Sequence, residues 1–227
     1  MKALILAAGY ATRLRPLTDT RAKELLPVGG RPIIDAIVES IGEVTDVDEI
    51  HVVTNARKAP AFEAWAAGRD VIVHDDGTSS NDDRLGAIGD IQFVIESAAI
   101  DDDLLVIAGD NLFDFSLAAL VAFWRSKAPA SVLAVRDVGS LELASRYGIV
   151  SLDGDDRVVE FLEKPEHPPS TLAATATYLY DREHLPLVAT YLEEGWFDIG
   201  DQEQLLEADN RLRATRGLPT KETYSPE

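Results

Sequence analysis

The sequence predicts an α/β fold, a three-layer α/β/α domain built on a mostly parallel mixed sheet. Apolar runs of strand length alternate with helical patterns over the first 138 residues, and apolar residues fill consecutive positions within those runs. Such runs are typical of strands buried on both faces, and strands separated by helices pair in parallel. At 227 residues, 46% of them hydrophobic, the chain can bury one large core.

The elements of the parallel part follow one another along the chain. Strands are predicted at Lys2–Ala7, Ile50–Thr54, Asp70–Val73, Leu104–Ala108 and Ser131–Val135. Helices are predicted at Pro32–Ile41, Ala59–Ala66, Leu85–Ala98 and Leu117–Lys127. Ligands bind beyond the carboxyl ends of the strands in such sheets, so the architecture is typical of nucleotide-binding (Rossmann-like) domains.

After Val135 the pattern changes to shorter extended segments. Strands are predicted at Gly148–Leu152, Val158–Glu163 and Leu172–Tyr180, and helices at about Arg182–Leu192 and Gln202–Arg213. We therefore predict a single domain over residues 1–218, with a nucleotide-binding part over about 1–138 and a second binding part over about 139–218. Residues 219–227 are predicted to form a loose tail.

Composition narrows the classes of partner. The formal net charge of −19 disfavours binding to nucleic acid and to anionic membranes, which are themselves negatively charged. The chain has no cysteine, which excludes thiol nucleophiles, disulfides and cysteine metal sites. Its apolar opening, Ala3–Ala8, is too short for a bilayer span or a signal peptide. We expect a soluble, cytoplasmic protein.

The turn after the first strand reverses this acidic character. Residues 1–31 hold six basic side chains against two acids, a net charge of +4, so the remaining 196 residues carry −23. Small residues around Gly9 let backbone N–H groups approach an anion, and Arg13, Arg15 and Lys23 can neutralise phosphate charge. An ordinary solvated loop is the alternative, but the local reversal of sign favours a site for a nucleoside triphosphate.

Two acids follow apolar segments far apart in the chain. Asp110 comes directly after the strand Leu104–Ala108, and Asp198 is framed by apolar residues before a predicted helix, whose N-cap would be Asp201. Asp110 could instead make an Asx turn. Two carboxylates brought together would suit Mg²⁺, which takes one or two carboxylates with water and phosphate oxygens.

A charged pair, Glu163 and Lys164, stands at the end of another predicted strand. A carboxylate that accepts hydrogen bonds from sugar hydroxyls, beside an ammonium that holds a phosphate, would suit a sugar phosphate. An exposed strand end with an ion pair of little energetic weight is the alternative.

These segments also carry a family resemblance. The chain contains, in order, L-A-A-G-x-x-T-R-L-x-P-L-T, K-E-L-L-P-V, G-R-P-I-I, G-D-N, Y-G-I-V, F-x-E-K-P and W-F-D-I-G. In these motifs, from Lys2 to about Asn210, it resembles the sugar-1-phosphate nucleotidylyltransferases, the group of the glucose-1-phosphate thymidylyl- and uridylyltransferases. The resemblance implies a three-layer α/β fold and a reaction between a nucleoside triphosphate and a sugar-1-phosphate that releases pyrophosphate.

The resemblance also implies roles for particular residues. Residues placed against the nucleotide are Leu6, Ala7, Ala8, Gly9, Thr12, Arg13, Lys23, Asn81, Gly86 and Asp110. Thr12 and Arg13 would approach the β- and γ-phosphates, Lys23 the α-phosphate, and Asn81 the base. Residues placed against the sugar phosphate are Asn111, Gly148, Glu163, Lys164 and Trp196. Asp110 and Asp198 would share a Mg²⁺ ion, with Arg13, Lys23 and Asp110 as the catalytic residues.

The reaction that the resemblance implies explains why the chain needs no Ser/His/Asp catalytic triad. A sugar-1-phosphate has a second pKa near ~6, as phosphate monoesters do, so its attacking oxygen is already ionised at neutral pH. The reaction needs neutralisation of charge at the α-phosphorus rather than a general base. None of the four histidines is assigned a role.

The chain departs from the family pattern at three places. Alanine replaces a usual glycine at Ala11 and at Ala176, and only Leu192–Gly195 separate Tyr191 from Trp196, where relatives carry a helix and a strand. That short connection is either a deletion or a segment missing from the sequence. The sugar, the base (dTTP or UTP is favoured) and the state as a homo-oligomer are not fixed by the sequence.

Three other functions compete with this interpretation. A cytidylyltransferase acting on phosphocholine or a similar small phosphate would use the same fold. A glycosyltransferase would use Asp101–Asp103 as its metal motif, but that run precedes a strand and is typical of a solvated loop. A non-catalytic nucleotide-sugar sensor or regulatory subunit would bind nucleotide without releasing pyrophosphate.

Overall fold

A computed structural model describes most of the chain. Residues 1–113, 115–182, 206, 209–210, 213–214 and 217–224 are described, together with the backbones of the strands at 187–191 and 196–198. Their thirteen strands are β1 Lys2–Ala7, β2 Pro27–Val28, β3 Arg31–Pro32, β4 Glu49–Thr54, β5 Ile72–Asp75, β6 Leu104–Ala108, β7 Asn111–Phe113, β8 Ser131–Asp137, β9 Gly148–Leu152, β10 Val158–Glu163, β11 Leu172–Tyr180, β12 Leu187–Tyr191 and β13 Trp196–Asp198.

Five α-helices connect the strands among the described residues of 1–182. They are α1 Ile33–Gly42, α2 Ala59–Ala66, α3 Gly86–Ser97, α4 Leu117–Lys127 and α5 Leu141–Ala144, and two 3-10 turns lie at Thr12–Leu14 and Lys23–Leu25. The α4 helix begins as the sequence suggests, with the Ser116 side chain accepting a hydrogen bond from the Ala119 N–H.

The central sheet has a parallel half and an antiparallel half. Its order is β10-β9-β11-β6-β1-β4-β5, with β8 paired to β11 and β12. Strands β6, β1, β4 and β5 run parallel, and Leu6 lies opposite Ala108 while Ala7 lies opposite Thr54. The segments that follow these strands therefore emerge at one edge of the sheet, where ligands bind in such folds.

The β1 strand has apolar residues on both faces because both faces are covered by helices. Ile5 packs with residues of α1, α2 and α4 on one face, whereas Leu4 packs with Val94 and other residues of α3 on the opposite face. Both side chains are fully buried. This arrangement confirms the predicted three-layer α/β/α domain.

The antiparallel half is centred on β11, which pairs with β6, β8 and β9. Its pairing with β8 shifts register between Ala174 and Tyr178, and Ala176 within this irregularity has a positive φ of 51°. Such an irregularity redirects the strand locally. It lies beside the edge of the sheet at which β6 ends, since Thr177 is opposite Ile107.

One prediction for the C-terminal third differs from the structure, and a second agrees with it at the described residues. Residues 187–191, expected in a helix, form β12 and pair in parallel with β8, because β8 offers a free edge and Val, Thr and Tyr suit a strand. In the predicted helix Gln202–Arg213, the described residues 206, 209–210 and 213 are helical, and the rest lie outside the described residues.

The segment predicted as a loose tail is tied to the domain over its described part. The Tyr224 hydroxyl donates a hydrogen bond of 2.7 Å to the Pro27 carbonyl, and its ring packs against the core of Leu14, Leu26, Val28, Ile33 and Leu112. The Lys221 N–H also donates to Asn210 Oδ1 over 2.7 Å. An aromatic side chain with both apolar contacts and a hydroxyl partner gains enough to order the segment. No helix among the described residues is long and apolar enough to cross a bilayer.

Candidate active site

The opening turn leaves β1 through a left-handed alanine. Ala11 has φ 45° and ψ 43°, so this residue adopts the left-handed conformation that favours glycine, the residue usual at this position in the family pattern. The Ala11 carbonyl accepts hydrogen bonds from the Thr18 hydroxyl at 2.8 Å and the Leu14 N–H at 3.1 Å, which hold the turn in place. Thr12 and Arg13 beyond it are exposed, as side chains that receive phosphate must be.

Backbone contacts fix the edge of the sheet beside this turn. The Gly109 N–H donates to the Leu6 carbonyl at 2.8 Å, and the Asn55 amide donates to the Ala8 carbonyl at 2.9 Å. A Cβ at Gly109 would lie 2.9 Å from the Leu6 oxygen and from Glu24 Cγ, so only glycine fits. The next residue, Asp110, is thereby placed at the carboxyl end of β6.

Asp110 forms an ion pair with Lys23, which the resemblance also predicts to be catalytic. Its Oδ2 accepts a hydrogen bond from Lys23 Nζ, and the two side chains are only 18% and 15% exposed. The ion pair is thus mostly shielded from solvent but open on one side. A cation already sits where the α-phosphate is expected, and a carboxylate sits beside it.

Glu24 lies close enough to this ion pair for both of its charges to act on the Glu24 carboxyl group. It is 3% exposed, and its Oε2 has no hydrogen-bond partner among the described residues. Burial raises the pKa of Glu24 to about 7, against a smaller lowering effect of Lys23. The region therefore contains a carboxyl group that is held partly protonated near neutral pH.

A cavity of about 450 Å³ opens on one side of this edge. It is lined by Leu6, Ala8, Gly9, Asp76, Arg84, Gly86, Ala87, Ile88, Asp90, Ile91, Ala108, Phe161, Ala176, Tyr178 and Tyr180. Leu6, Ala8, Gly9 and Gly86 had been placed against the nucleotide by resemblance, and the cavity brings them together. Its apolar walls and small residues suit a flat base, so we refer to it as the base cavity.

Asn81, the residue predicted to read the base, does not line the base cavity. It is exposed, and its Oδ1 accepts a hydrogen bond of 2.5 Å from Arg84 Nη1. Sequence reasoning missed Asp76 and Asp90, which do line it. A signal existed for Asp76, because it follows β5 directly at the same sheet edge as Gly9. The predicted strand ended at Val73, which placed Asp76 too far along the loop.

A second cavity, of about 250 Å³, lies on the other side of Ala176. It is lined by Ala108, Asp110, Asn111, Arg146, Tyr147, Gly148, Phe161, Glu163, Lys164, Ala174, Thr175, Ala176 and Tyr178. Five residues predicted from distant motifs meet here: Asp110, Asn111, Gly148, Glu163 and Lys164. We call it the sugar cavity. It shares Ala108, Phe161, Ala176 and Tyr178 with the base cavity.

Local geometry explains what Asn111 and Gly148 contribute to the sugar cavity. Asn111 is 2% exposed and its amide donates to the Thr175 carbonyl, which ties β7 to the irregular part of β11. A Cβ at Gly148 would lie 3.0 Å from the Phe161 ring and 3.1 Å from a Glu163 oxygen. Gly148 therefore leaves room for the Glu163 carboxylate rather than contributing a contact of its own.

The charged end of the sugar cavity carries more positive charge than the motifs suggested. Lys164 Nζ lies 2.9 Å from Glu163 Oε1, and both side chains are more than half exposed. Arg146, which sequence reasoning missed, lines the same cavity. Arg146 immediately precedes the Y-G-I-V motif, and this position was the signal that could have identified it. Two cations beside one carboxylate suit a phosphate next to hydroxyl groups.

The second predicted metal ligand is placed by its backbone alone. Strand β13 pairs with β7 in antiparallel fashion, and Asp198 lies opposite Asn111 while Trp196 lies opposite Phe113. The Asp198 backbone is therefore one residue away from the position of Asp110. The side chains of Trp196 and Asp198 lie outside the described residues.

The described donors fit a Mg²⁺ ion bound mainly by substrate. No cluster of three or more His, Asp or Glu side chains that could hold a metal is found in the part of the chain with described side chains. Mg²⁺ commonly takes only one or two carboxylates and completes its coordination with water and phosphate oxygens. Asp110, partly exposed at the strand end, satisfies this requirement.

A parallel sheet with a cationic turn, a base cavity and an acid at the end of β6 defines a nucleotide-binding protein built for phosphate chemistry. The family model described as nucleotidyl transferase matches residues 2–195, and the chain belongs to that family. Sequence and architecture thus agree on the class.

Similar proteins in this family carry related names. The chain is 32% identical over 186 residues, 82% of its length, to a Sulfolobus acidocaldarius protein named as a mannose-1-phosphate guanyltransferase, and covers 50% of it. It is 34% identical over 183 residues, 79% of its length, to the glucose-1-phosphate thymidylyltransferase of Streptomyces antibioticus, and covers 49% of it. The chain therefore spans about half the length of these curated relatives.

A solved structure shares the fold. A Bacillus anthracis protein described as a glucose-1-phosphate thymidylyltransferase, in complex with sucrose, superposes with a TM-score of 0.81. The match covers 94% of this chain and 95% of that one at 23% identity. At this identity the likeness establishes the fold and nothing beyond it.

Proposed function

We propose that this protein transfers a nucleoside monophosphate from a nucleoside triphosphate to a hexose-1-phosphate, with Mg²⁺, to give a nucleoside diphosphate sugar and pyrophosphate. One observation carries the proposal. Asp110 and its partner Lys23 stand where the base cavity and the sugar cavity meet, since Asp110 lines the sugar cavity and Ala108, two residues earlier, lines both. Two substrates bound in these cavities would bring their phosphates to this ion pair.

The reaction is an in-line displacement at the α-phosphorus. The attacking oxygen of a sugar-1-phosphate is largely ionised at neutral pH, because the second pKa of a phosphate monoester is about 6. A bond forms between this oxygen and the α-phosphorus, and the bond to the bridging oxygen of pyrophosphate breaks. No proton has to be removed, so the site needs cations rather than a general base.

The cations of the opening turn meet that need. Lys23, already held at the strand end by Asp110, binds the α-phosphate, and exposed Arg13 and Thr12 bind the β- and γ-phosphates. Mg²⁺, when bound by Asp110 and the phosphates, supplies further neutralisation of the charge that develops on pyrophosphate. The second carboxylate expected for this ion is that of Asp198.

The sugar cavity positions the second substrate. Glu163 accepts hydrogen bonds from sugar hydroxyls, and Lys164 and Arg146 hold the phosphate so that its oxygen faces the α-phosphorus. Asn111, buried and bonded to the Thr175 carbonyl, keeps the wall between the cavities in place. The resemblance favours dTTP or UTP, whereas the relatives are named for both guanyl and thymidylyl transfer.

The test is pyrophosphate release across a panel of nucleoside triphosphates and sugar-1-phosphates with Mg²⁺ present. The proposal expects release with at least one pair and none when either substrate is omitted. The absence of pyrophosphate release with every pair of substrates would overturn the proposal. Nucleotide binding by calorimetry without pyrophosphate would then favour a sensor, whereas activity with CTP and phosphocholine would favour the cytidylyltransferase alternative.

A further inference from the structure

The base cavity contains two acids that the proposed reaction does not use. Asp76 follows β5, and its Oδ1 accepts hydrogen bonds from the backbone N–H and the hydroxyl of Thr78, each at 2.7 Å. Asp90 lies on α3 and is only 6% exposed, yet it lines the same cavity. The two carboxyl groups are close enough to interact directly.

Apart from the hydrogen bonds that Thr78 donates to Asp76, these two carboxyl groups interact with each other, through a side-chain hydrogen bond that requires one of them to hold a proton. Asp90 Oδ1 and Asp76 Oδ2 are buried, and no other described residue donates a hydrogen bond to either oxygen. Burial, followed by the charge of Asp76 and the hydrogen bond with it, raises the pKa of Asp90 to about 6, so at pH 7 to 8 this proton is mostly lost. Buried polar groups of native proteins are normally satisfied, so the ionised pair, which lines a ligand cavity, needs hydrogen-bond donors that a ligand can supply.

The remaining walls show what kind of ligand brings those donors. Leu6, Ile88 and Ile91 provide apolar faces, and six lining residues are glycine or alanine, which leaves room for a two-ring base: Ala8, Gly9, Gly86, Ala87, Ala108 and Ala176. A base stacked in this cavity is therefore read at its polar edge by Asp76 and Asp90.

We infer that Asp90, held beside Asp76, reads the N1–H and N2 amino group of guanine, so that the nucleotide of the proposed reaction is GTP. The inference rests on the proposed function and names its substrate. An ionised carboxylate only accepts hydrogen bonds. Guanine is the base that presents two adjacent donors on its Watson–Crick edge, which one carboxylate can accept side by side.

The other bases fit this wall less well. Uracil and thymine present a single N–H between two carbonyl oxygens, which would face carboxylate oxygens at close range. Adenine and cytosine present an amino group beside a ring nitrogen that is itself an acceptor. Each of these bases leaves an acceptor opposed to an acceptor, which is costly where water is excluded.

Arg84 complements the acids on the same cavity. It is exposed at the cavity wall, and its Nη1 donates to Asn81 Oδ1, which orients the guanidinium. A guanidinium carries five N–H donors and pairs readily with O6 and N7 of guanine. The cavity therefore offers acceptors for the donor edge of guanine and donors for its acceptor edge. Asn81, predicted to read the base itself, would act by orienting Arg84.

The experiment compares GTP, UTP and dTTP at pH 7.5 with a saturating sugar-1-phosphate, reading kcat/KM from pyrophosphate release. We expect GTP to be preferred over UTP and dTTP by on the order of 10²-fold or more, since a site built for paired hydrogen bonds strongly rejects bases that lack them. Asp90→Asn should lower the GTP/UTP ratio at least about tenfold, because the amide opposes a donor to a donor.

Two further variants make the result interpretable. Asp82→Asn changes an exposed acid of the neighbouring loop and should leave the ratio unchanged. Asp90→Leu keeps the branched shape of the side chain but replaces both oxygens with larger methyl groups, so it tests the role of the carboxylate even if the amide repacks. Thermal unfolding of each variant checks that the fold is retained.

The outcomes separate this inference from the proposed function. A wild-type preference for UTP or dTTP, or an unchanged GTP/UTP ratio in both Asp90 variants, overturns the inference while pyrophosphate release upholds the function. If no pair of substrates reacts, calorimetric titration with GDP and UDP still decides: tighter GDP binding that weakens in Asp90→Asn supports guanine recognition, and equal binding overturns it.

Discussion

The two ends of the proposed nucleotide site both hold a shielded acid, but the charge beside that acid differs between them. Asp110 at the phosphate end is paired with Lys23, whereas the charged group that acts on Asp90 at the base end, among the described residues, is another acid, Asp76. An ion pair at a partly open strand end can exchange its partner when a phosphate and a cation arrive. A buried carboxylate with no cation beside it is instead stabilised by hydrogen-bond donors, which a bound ligand can supply. Under the two proposals, the same residue type would serve charge neutralisation at one end and recognition of the base at the other.

The largest effect should come from the phosphate end. Asp110→Asn keeps the shape of the side chain but removes its charge, so the Lys23 ammonium and the proposed Mg²⁺ lose their carboxylate. We expect kcat for pyrophosphate release to fall on the order of 10²- to 10³-fold, as when one preorganised group is removed from a transition-state site. The base preference should not change, which is the reverse of the expectation for Asp90→Asn.

Asp101→Asn is the matched control for this prediction. Asp101 lies in the acidic run before β6, is exposed and pairs with Arg182. Its variant should keep full activity. Near-normal turnover in Asp110→Asn, or a large loss in Asp101→Asn, would contradict the assignment, and the second result would favour the glycosyltransferase alternative.

A second prediction concerns stability at the phosphate end. Glu24 has a pKa of about 7 in the folded protein and an ordinary value of 4.5, so the folded state binds more protons between these values. Its favourable contribution is complete below pH 4.5 and is lost as pH rises through 7. Glu24→Gln stays neutral, so its free energy of unfolding should exceed that of the wild type by up to about 3 kcal/mol at pH 8 and by little at pH 4.5.

Urea unfolding at pH 5, 6, 7 and 8 measures this difference. Glu63→Gln, an exposed change on α2, should give a difference near zero at each pH. A gap for Glu24→Gln that stays constant from pH 5 to pH 8 would show that Glu24 is not held protonated by burial.

Much of the fold was predictable because local pattern and burial agree. The helices Ala59–Ala66 and Leu117–Lys127 and the strands β9, β10 and β11 have the predicted bounds. The β12 strand was predicted as a helix, since its pairing with β8 depends on an edge formed by residues more than fifty positions earlier. Such pairing is a tertiary effect that a local pattern does not contain.

The candidate site was predictable where motif residues mark it. Asp110, Gly148 and Glu163 come from separate segments, and the sugar cavity gathers them as expected. Neither Asp76 nor Asp90 belongs to a motif, so Asp76 could have been found only from the correct end of β5, and Asp90 had no signal in the sequence. A lone acid in a loop or on a helix is commonly solvated, and their chemistry arises only because α3 packs over the sheet and buries Asp90 beside Asp76.

The smallest expected effect concerns the backbone conformation of Ala11 and Ala176. Ala11 in the opening turn and Ala176 between the cavities both adopt a positive φ, at 45° and 51°. This conformation costs a non-glycine residue roughly 1–2 kcal/mol, from which the greater freedom of glycine in the unfolded chain subtracts about 0.4–1 kcal/mol. Ala11→Gly and Ala176→Gly should therefore each raise the free energy of unfolding by up to about 1 kcal/mol.

Chemical denaturation of both variants is compared with Ala61→Gly, an exposed position in α2 that should lose about 1 kcal/mol, as glycine does within a helix. Destabilisation of Ala11→Gly or Ala176→Gly to the same extent as Ala61→Gly would contradict the left-handed geometry. Pyrophosphate release sharpens the comparison further. Ala11→Gly loosens the turn that carries Arg13 and should lower kcat more than Ala176→Gly, because the phosphate end depends on fixed charges, whereas Ala176 contributes only a methyl group to the walls of the two cavities.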